Sequence, residues 1–218
     1  MTLTELLAQV RADLDIEEET FWSDADITRF ANMAIRDLEA EVHTLFQDYF
    51  IVPTSITLIS GTSDYSLPTD IFANFIRKIF YIKGDEKYEI RRIRNIEDVY
   101  DIESDEDYQY YFKNETTGKK IVLCPTPAEA GAYVKIWYIR QAKRLATGSD
   151  TIDLPESENF IVERTKYYCL EKDQDVRAQL AEGKAQEYLK RLVETLSEMV
   201  QDQNDELMKD FNYYNDSV

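Results

Sequence analysis

The sequence predicts an α+β fold in which N- and C-terminal helices form one bundle and a mainly antiparallel β-domain, a sandwich or rolled sheet, is inserted between them. Three observations predict it. Apolar residues recur at helical spacing near both ends of the chain. Between the ends the period falls toward two, in β-branched and aromatic runs broken by Gly and Pro. Charge divides at the same places: residues 1–50 hold 3 basic and 12 acidic residues, 51–147 hold 14 of each, and 148–218 hold 8 and 17. The expected parts are 1–52, N-terminal helices of the bundle; 53–147, the inserted β-domain; and 148–218, C-terminal helices with a mobile tail.

The elements follow in order. Thr2-Leu3-Thr4-Glu5 fits a capping box, and Leu3, Leu6, Leu7, Val10 and Leu14 continue at helical spacing. Ser23 caps a second helix with Asp26 three residues on, and Trp22 is placed to staple against Ile27. Its stripe is Ile27, Phe30, Ala31, Ala34, Ile35, Leu38 and Val42, and it ends near Phe46. A sheet of about six strands is expected next, drawn from seven β-like segments: Ser55–Ser60, Tyr65–Leu67, Asn74–Ile82 and Lys87–Arg94 around Gly84-Asp85, Tyr108–Lys113 with Lys119–Cys124, and Ala132–Arg140. Residues 95–102 suggest a short helix capped by Asn95. Helix returns at Glu158–Leu170, breaks at Asp173-Gln174-Asp175, and runs from Val176 to about Gln203.

Composition excludes several functions. The chain has 218 residues, 44% hydrophobic and 31% charged, so it can bury a core. A net charge of −18 argues against sequence-independent nucleic-acid binding, because the phosphate backbone is repelled. No apolar run approaches the roughly 20 residues that span a bilayer. Met1-Thr2-Leu3-Thr4-Glu5 carries an acid where a signal peptide carries Lys or Arg, so a cytoplasmic origin is expected.

The two cysteines, Cys124 and Cys169, lie far apart and read as buried thiols. With one histidine, His43, no zinc site or His-dependent nucleophile is expected; His43 reads as a surface or helix-end residue. None of the six glycines builds a phosphate loop. No catalytic residue, metal ligand or cofactor is assigned, and the chain is not read as an enzyme. With 43 acids, close carboxylate pairs arise by chance and single out no dyad.

Four passages together resemble the adaptor, or head-to-tail connector, proteins of tailed bacteriophages. They are Thr4-Glu5-Leu6 through Phe21-Trp22-Ser23-Asp24-Ala25-Asp26-Ile27; Ile56-Thr57-Leu58-Ile59-Ser60-Gly61 to Asp64-Tyr65-Ser66-Leu67-Pro68; Pro125-Thr126-Pro127 with Ile136-Trp137-Tyr138-Ile139-Arg140; and Asp153-Leu154-Pro155-Glu156 before the last helices. The resemblance implies a structural virion protein at the head-to-tail junction, present in the host cytoplasm during assembly. It implies a homo-oligomeric ring, commonly of twelve subunits, that binds the portal protein and a downstream tail protein. Double-stranded DNA passes through such a ring during genome ejection without specific binding, and no membrane is involved.

Within that frame the last helix draws attention. Glu187, Arg191, Glu194, Glu198, Asp202 and Asp205 follow at three- and four-residue steps. Glu187 and Arg191 can pair, and the remaining acids are read as having no basic partner at that spacing. A solvated face is the simplest account; a channel wall of Glu187, Glu194, Glu198, Asp202 and Asp205, repelling DNA phosphates, is the functional one. The acidic stretch 101–108, with Asp105, Asp107 and Tyr108, is either a solvated loop or a contact to the next tail component. Phe211, Tyr213 and Tyr214 are candidates for a tail that orders on the portal, against a frayed terminus. Arg91-Arg92-Ile93-Arg94 is the one basic cluster, read as an intersubunit partner for acids in preference to a nucleic-acid contact. A different function class also fits the charge: an acidic DNA mimic that sequesters a host nucleic-acid-binding protein.

Overall fold

The computed structural model describes residues 1–15, 22–46, 48–95, 97, 99, 102, 107–116, 118–128, 130–154 and 156–215, with backbone alone for 198–215. Among the described residues, four helices and two four-stranded sheets make an α+β fold in which terminal helices flank a central β region. The chain resolves into two compact units, Met1–Tyr49 with Ala142–Val218, and Phe50–Gln141.

The helical unit begins with α1 (Leu3–Asp13) and α2 (Asp24–Leu45). Both N-termini are closed by the residues that the sequence nominates. Thr2 accepts from the Glu5 N–H while the Glu5 carboxylate accepts from the Thr2 N–H at 2.8 Å. Ser23 Oγ accepts from the Asp26 N–H at 3.1 Å. These side chains satisfy N–H groups that the first helical turn leaves free. Trp22 sits edge-on to Phe30, with ring centroids 5.5 Å apart.

α3 (Glu158–Lys172) and α4 (Ala178–Asn215) complete this unit, and α3 packs on α1, α2 and α4. Leu6, Val10, Ile27, Leu38, Ile161 and Cys169 are fully or almost fully buried. The helical backbone continues to Asn215, about one dozen residues beyond the expected end near Gln203. The physical reason is that no Gly or Pro follows Gly183, so nothing in the local sequence interrupts it.

Polar groups, most of them half-buried, tie the helices together. Arg164 lies over the rings of Tyr167 and Tyr168, donates to Asp37 on α2 at 2.9 Å and pairs with Glu182 on α4. Tyr168 donates to the same Asp37, and burial together with that carboxylate pushes its hydroxyl up to about 12. The segment 142–150, which re-enters the bundle, is held by three side chains. Asn32 mimics a strand partner: its amide donates to the Leu145 carbonyl at 2.8 Å and accepts from the Leu145 N–H at 2.9 Å. Glu39, 4% exposed, accepts from the Ala142 N–H at 2.6 Å and from the Arg144 guanidinium. Asp150 accepts from the Ala146 and Thr147 N–H groups and pairs with Lys143 at 2.9 Å; that ammonium and those N–H groups hold its carboxyl far below the usual range.

The β unit holds eight strands among the described residues, against about six expected. They are β1 (Ile51–Thr57), β2 (Asp64–Ser66), β3 (Ile71–Lys83), β4 (Glu86–Glu89), β5 (Arg91–Arg92), β6 (Gln109–Glu115), β7 (Gly118–Cys124) and β8 (Tyr133–Arg140). Their order is β1-β8-β3-β4 in one sheet and β2-β7-β6-β5 in the other. Every pairing is antiparallel except β5 with β6. One hydrophobic cluster draws on both sheets, including Leu58, Ile71, Ile79, Ile121, Leu123, Val134 and Ile136, so the sheets share a core as in a sandwich. One added strand arises at Ile90. It is buried between Glu89 and Arg91, and there the segment expected as one strand leaves the first sheet and joins the second. The short helix expected at 95–102 falls largely outside the described residues.

Candidate assembly surfaces

The acidic face of α4 starts from two described carboxylates. Glu187 and Glu194 each expose 62% of their side chains. Glu187 pairs with Arg191 one turn on, as the spacing predicts. Glu194 departs from the expectation that it lacks a basic neighbour. Lys190 Nζ lies 4.0 Å from its carboxylate, because Lys190 sits four residues before it on the same face. Both pairs are solvent-exposed and contribute a few tenths of a kcal/mol at most. Glu198, Asp202 and Asp205 follow on the helical backbone of α4, and so do Phe211, Tyr213 and Tyr214; the side chains of all six lie outside the described residues.

Of the acidic stretch before β6, Asp105 lies outside the described residues, whereas Asp107 is exposed. Tyr108 is half-buried. Its ring lies 5.1 Å from that of Tyr81, and its N–H donates to Tyr88 Oη at 3.4 Å. Burial, assisted by the nearby Asp107 charge and opposed by that hydrogen bond, pushes the Tyr88 hydroxyl up to about 12. Tyr108 is thus held by its own unit and presents an edge to solvent. A cavity of about 610 Å³ opens beside it, lined by Tyr88, Glu89, Arg91, Asp107, Tyr108 and Gln109.

Two larger concavities were not legible in the sequence. In the helical unit a groove of about 970 Å³ runs between α1, α2 and the segment 146–148. Its floor is apolar, with Leu3, Leu7 and Met33, and its rim carries Arg29 and Arg36. In the β unit a second groove of about 670 Å³ is lined by Arg77, Lys78, Arg91, Arg92 and Arg94, with Glu89 the one carboxylate in its lining. The sequence singles out the three arginines at 91–94. It does not show that Arg77 and Lys78 join them, because a register shift in β3 does this. Ile76 pairs with Tyr138 and Lys78 with Trp137, which leaves Arg77 as an extra residue. A bulge breaks the in–out alternation, so Arg77 and Lys78 are both exposed.

The candidate reactive groups are placed as follows. His43 stands in the last turn of α2, as a helix-end residue. Its side chain is 9% exposed, so of the two expected readings the helix-end one holds and the surface one does not, and Glu39 Oε1 lies 3.9 Å from its Nε2. Burial lowers its pKa below 6.5, and Glu39 partly offsets the shift. Cys169 is buried and Cys124 half-buried, and both are free thiols. Burial pushes Cys169 up to about 12, which makes it unreactive as a nucleophile. Among the described residues no group of three His, Cys, Asp or Glu side chains is arranged to hold a metal. No described helix is long and apolar enough to cross a membrane.

None of the curated proteins matches the chain's sequence. The profile of a phage family, described as SU10 adaptor protein, matches residues 1–212, which takes in both units and most of α4. With a match over nearly its whole length, the chain belongs to the SU10 adaptor protein family, a family of structural proteins of the phage virion.

Proposed function

We propose that the protein forms a ring at the head-to-tail junction, joining the capsid portal to the tail and surrounding the path of the genome. The observation that carries this reading is the family match across residues 1–212. The exposed carboxylates Glu187 and Glu194 support the assignment of the α4 face, with Glu198, Asp202 and Asp205, to the channel wall. A wall of like charge repels passing phosphates and keeps DNA from sticking. At physiological salt such repulsion reaches about 8 Å, so it acts on DNA close to the wall. Asp105, Asp107 and Tyr108 on the β unit, and Phe211, Tyr213 and Tyr214 at the end of α4, are assigned to contacts with the portal and the next tail protein. Half-buried aromatics such as Tyr108 suit interfaces, since they offer contact area with a polar tip.

The test is sedimentation of the protein with and without the portal protein of the same phage. The expected result is a stoichiometric complex in which the portal ring gains one copy per subunit. The absence of any complex across a range of salt would refute the connector reading. Salt-sensitive binding to a basic host protein, in the absence of portal binding, would establish a DNA mimic in its place.

A further inference from the structure

We infer that the groove between α1 and α2 seats the corner between α3 and α4 of a second copy of this chain, so that copies join head to tail. The groove is walled by two rows of side chains at helical steps. Leu3, Leu7 and Arg11 stand on α1, and Arg29, Met33 and Arg36 on α2. Leu6 and Val10 are the residues that α1 buries in the bundle, so Leu7 is left half-buried on the adjoining face. Met33 is exposed on its own row. The space between the rows is about 970 Å³, enough for several side chains of one segment.

Its charge runs against that of its surroundings. Residues 1–50 hold 3 basic residues against 12 acidic ones, and all three, Arg11, Arg29 and Arg36, line this groove. Asp24 is the one carboxylate in the lining, and Arg11 Nη2 donates to it at 2.7 Å. Among the described residues Arg11 Nη1 has no acceptor, and Arg36 has no carboxylate within ion-pair distance. Arg29 pairs with Asp26 at the surface, at 3.0 Å. An occupant that complements this groove carries apolar side chains next to carboxylates. A DNA duplex offers phosphates but nothing apolar for Leu7 and Met33, and it meets the repulsion of the rest of the chain.

The chain itself presents such a segment. Ala178, Ala181 and Ala185 are buried at three- and four-residue steps, so Leu180 stands on the opposite side of α4. Val176 precedes it by four residues. At 90% and 64%, Val176 and Leu180 are the most exposed large apolar side chains among the described residues. Two carboxylates adjoin them. Asp173 is exposed, with no cation within ion-pair distance among the described residues. Asp175 accepts from the Arg177 N–H at 2.8 Å and from its guanidinium at 2.9 Å, which fixes the corner. Seating the corner in the groove removes the exposed apolar pair from water and brings Asp173 to unpaired cations. The groove and the corner share no residue, so the contact is heterologous: each copy keeps one free groove and one free corner, and the series closes into a ring when the rotation between copies allows. The net charge of −18 does not forbid this, since at about 0.1 M salt charges more than about 10 Å apart are screened. The inference deepens the ring reading by naming a contact between subunits, and it rests on that reading for its place in the virion.

The experiment is sedimentation velocity of the full-length protein over a range of concentration and salt. Wild type is expected to associate beyond a dimer. Two variants each disable one side: Met33→Glu/Arg36→Glu in the groove and Val176→Lys/Leu180→Lys at the corner. Each alone is expected to weaken association roughly tenfold or more, the effect of losing one buried apolar anchor. Mixed together they are expected to form a one-to-one dimer and nothing larger, because one intact groove meets one intact corner. All four altered side chains are exposed, so urea midpoints are expected to match wild type; Arg36→Glu alone serves as a milder groove variant if the double one unfolds early. The control Ile59→Lys/Phe75→Lys changes two exposed apolar residues of the β unit and is expected to associate like wild type. Four results would each overturn the inference: monomeric wild type at every salt and concentration, wild type that stops at a dimer, association indifferent to either variant, or a mixture that forms no dimer. Binding of a short DNA duplex by wild type that the groove variant loses would overturn it in favour of nucleic acid. Portal binding is read separately. Variant-sensitive self-association without portal binding keeps this contact and sinks the connector, whereas saturation of the portal ring by both variants as by wild type does the reverse.

Discussion

Replacing Glu39 with alanine should destabilise the helical unit by about 3–5 kcal/mol, the range for removing one partner of a buried ion pair. The geometry supplies the figure. Glu39 is 4% exposed and accepts from the Ala142 N–H at 2.6 Å and from the Arg144 guanidinium, whose side chain is 28% exposed. Truncation leaves the amide buried without an acceptor, which costs about 1–3 kcal/mol by itself. The guanidinium also loses its counter-charge, and its partial exposure holds the total toward the lower end. Glu39→Gln keeps an acceptor for the amide and loses only the charge, so about 1–2 kcal/mol is expected. The two tryptophans make the assay selective, since Trp22 lies in the helical unit and Trp137 in the β unit. In a Trp137→Phe background, fluorescence follows the helical unit during urea unfolding. At an m-value of about 2 kcal/mol/M, a loss of about 3 kcal/mol takes about 1.5 M from the midpoint of the alanine variant. A loss below about 0.5 M for Glu39→Ala, or equal losses for the alanine and glutamine variants, would refute the reasoning.

Three further outcomes are expected. Asn32→Ala removes both hydrogen bonds to Leu145 and should cost about 2–3 kcal/mol, while Asn32→Asp keeps the acceptor, loses the donor and should cost nearly as much; both are read by the same urea series. At Gly148 an added Cβ would stand 2.6 Å from Thr4 Oγ1, so Gly148→Ala should lower the melting temperature by a few degrees, and Thr4→Ala in the same chain should remove most of that penalty; additive losses would argue against the clash. His43 has a pKa below its unfolded value of 6.5, so the unfolded chain binds the extra proton first as pH falls. Stability should therefore decline on acidification below about 6.5 and level off beneath the folded-state pKa, and His43→Gln should flatten that slope in urea midpoints measured from pH 7 to 5.

How much was legible in the sequence differs by element. The capped starts at Thr2 and Ser23 and the stripe from Ile27 to Val42 were readable, because a cap and an amphipathic face are each set within a few residues. The hairpin of Tyr108–Lys113 with Lys119–Cys124 was readable for the same reason: alternation and a turn are local. The transfer of the chain between sheets at Ile90 was not readable, since a buried isoleucine between two exposed residues looks like ordinary alternation. The far end of α4 is not legible, because polar composition past Gln203 does not by itself stop a helix and no Gly or Pro stands there to break it.

Of the site residues, Glu187 and Glu194 are exposed as the helical spacing implies, and the Lys190 partner of Glu194 follows from the same four-residue spacing. Tyr108 could not be seen to pack against Tyr81, because 27 positions separate them and nothing local records the contact. The sequence by itself determined the order of helices and strands, the caps, the net charge with its acidic ends, and the family, since all of these depend on residue type and short-range spacing. Only the tertiary structure decided that Glu39 is a buried clamp and that His43 is enclosed beside it. Only it brought Arg77 and Lys78 across to Arg91, Arg92 and Arg94 to make one groove. Those features depend on which distant segments share a core and on a one-residue shift of register, and such long-range choices are made by packing the whole chain at once.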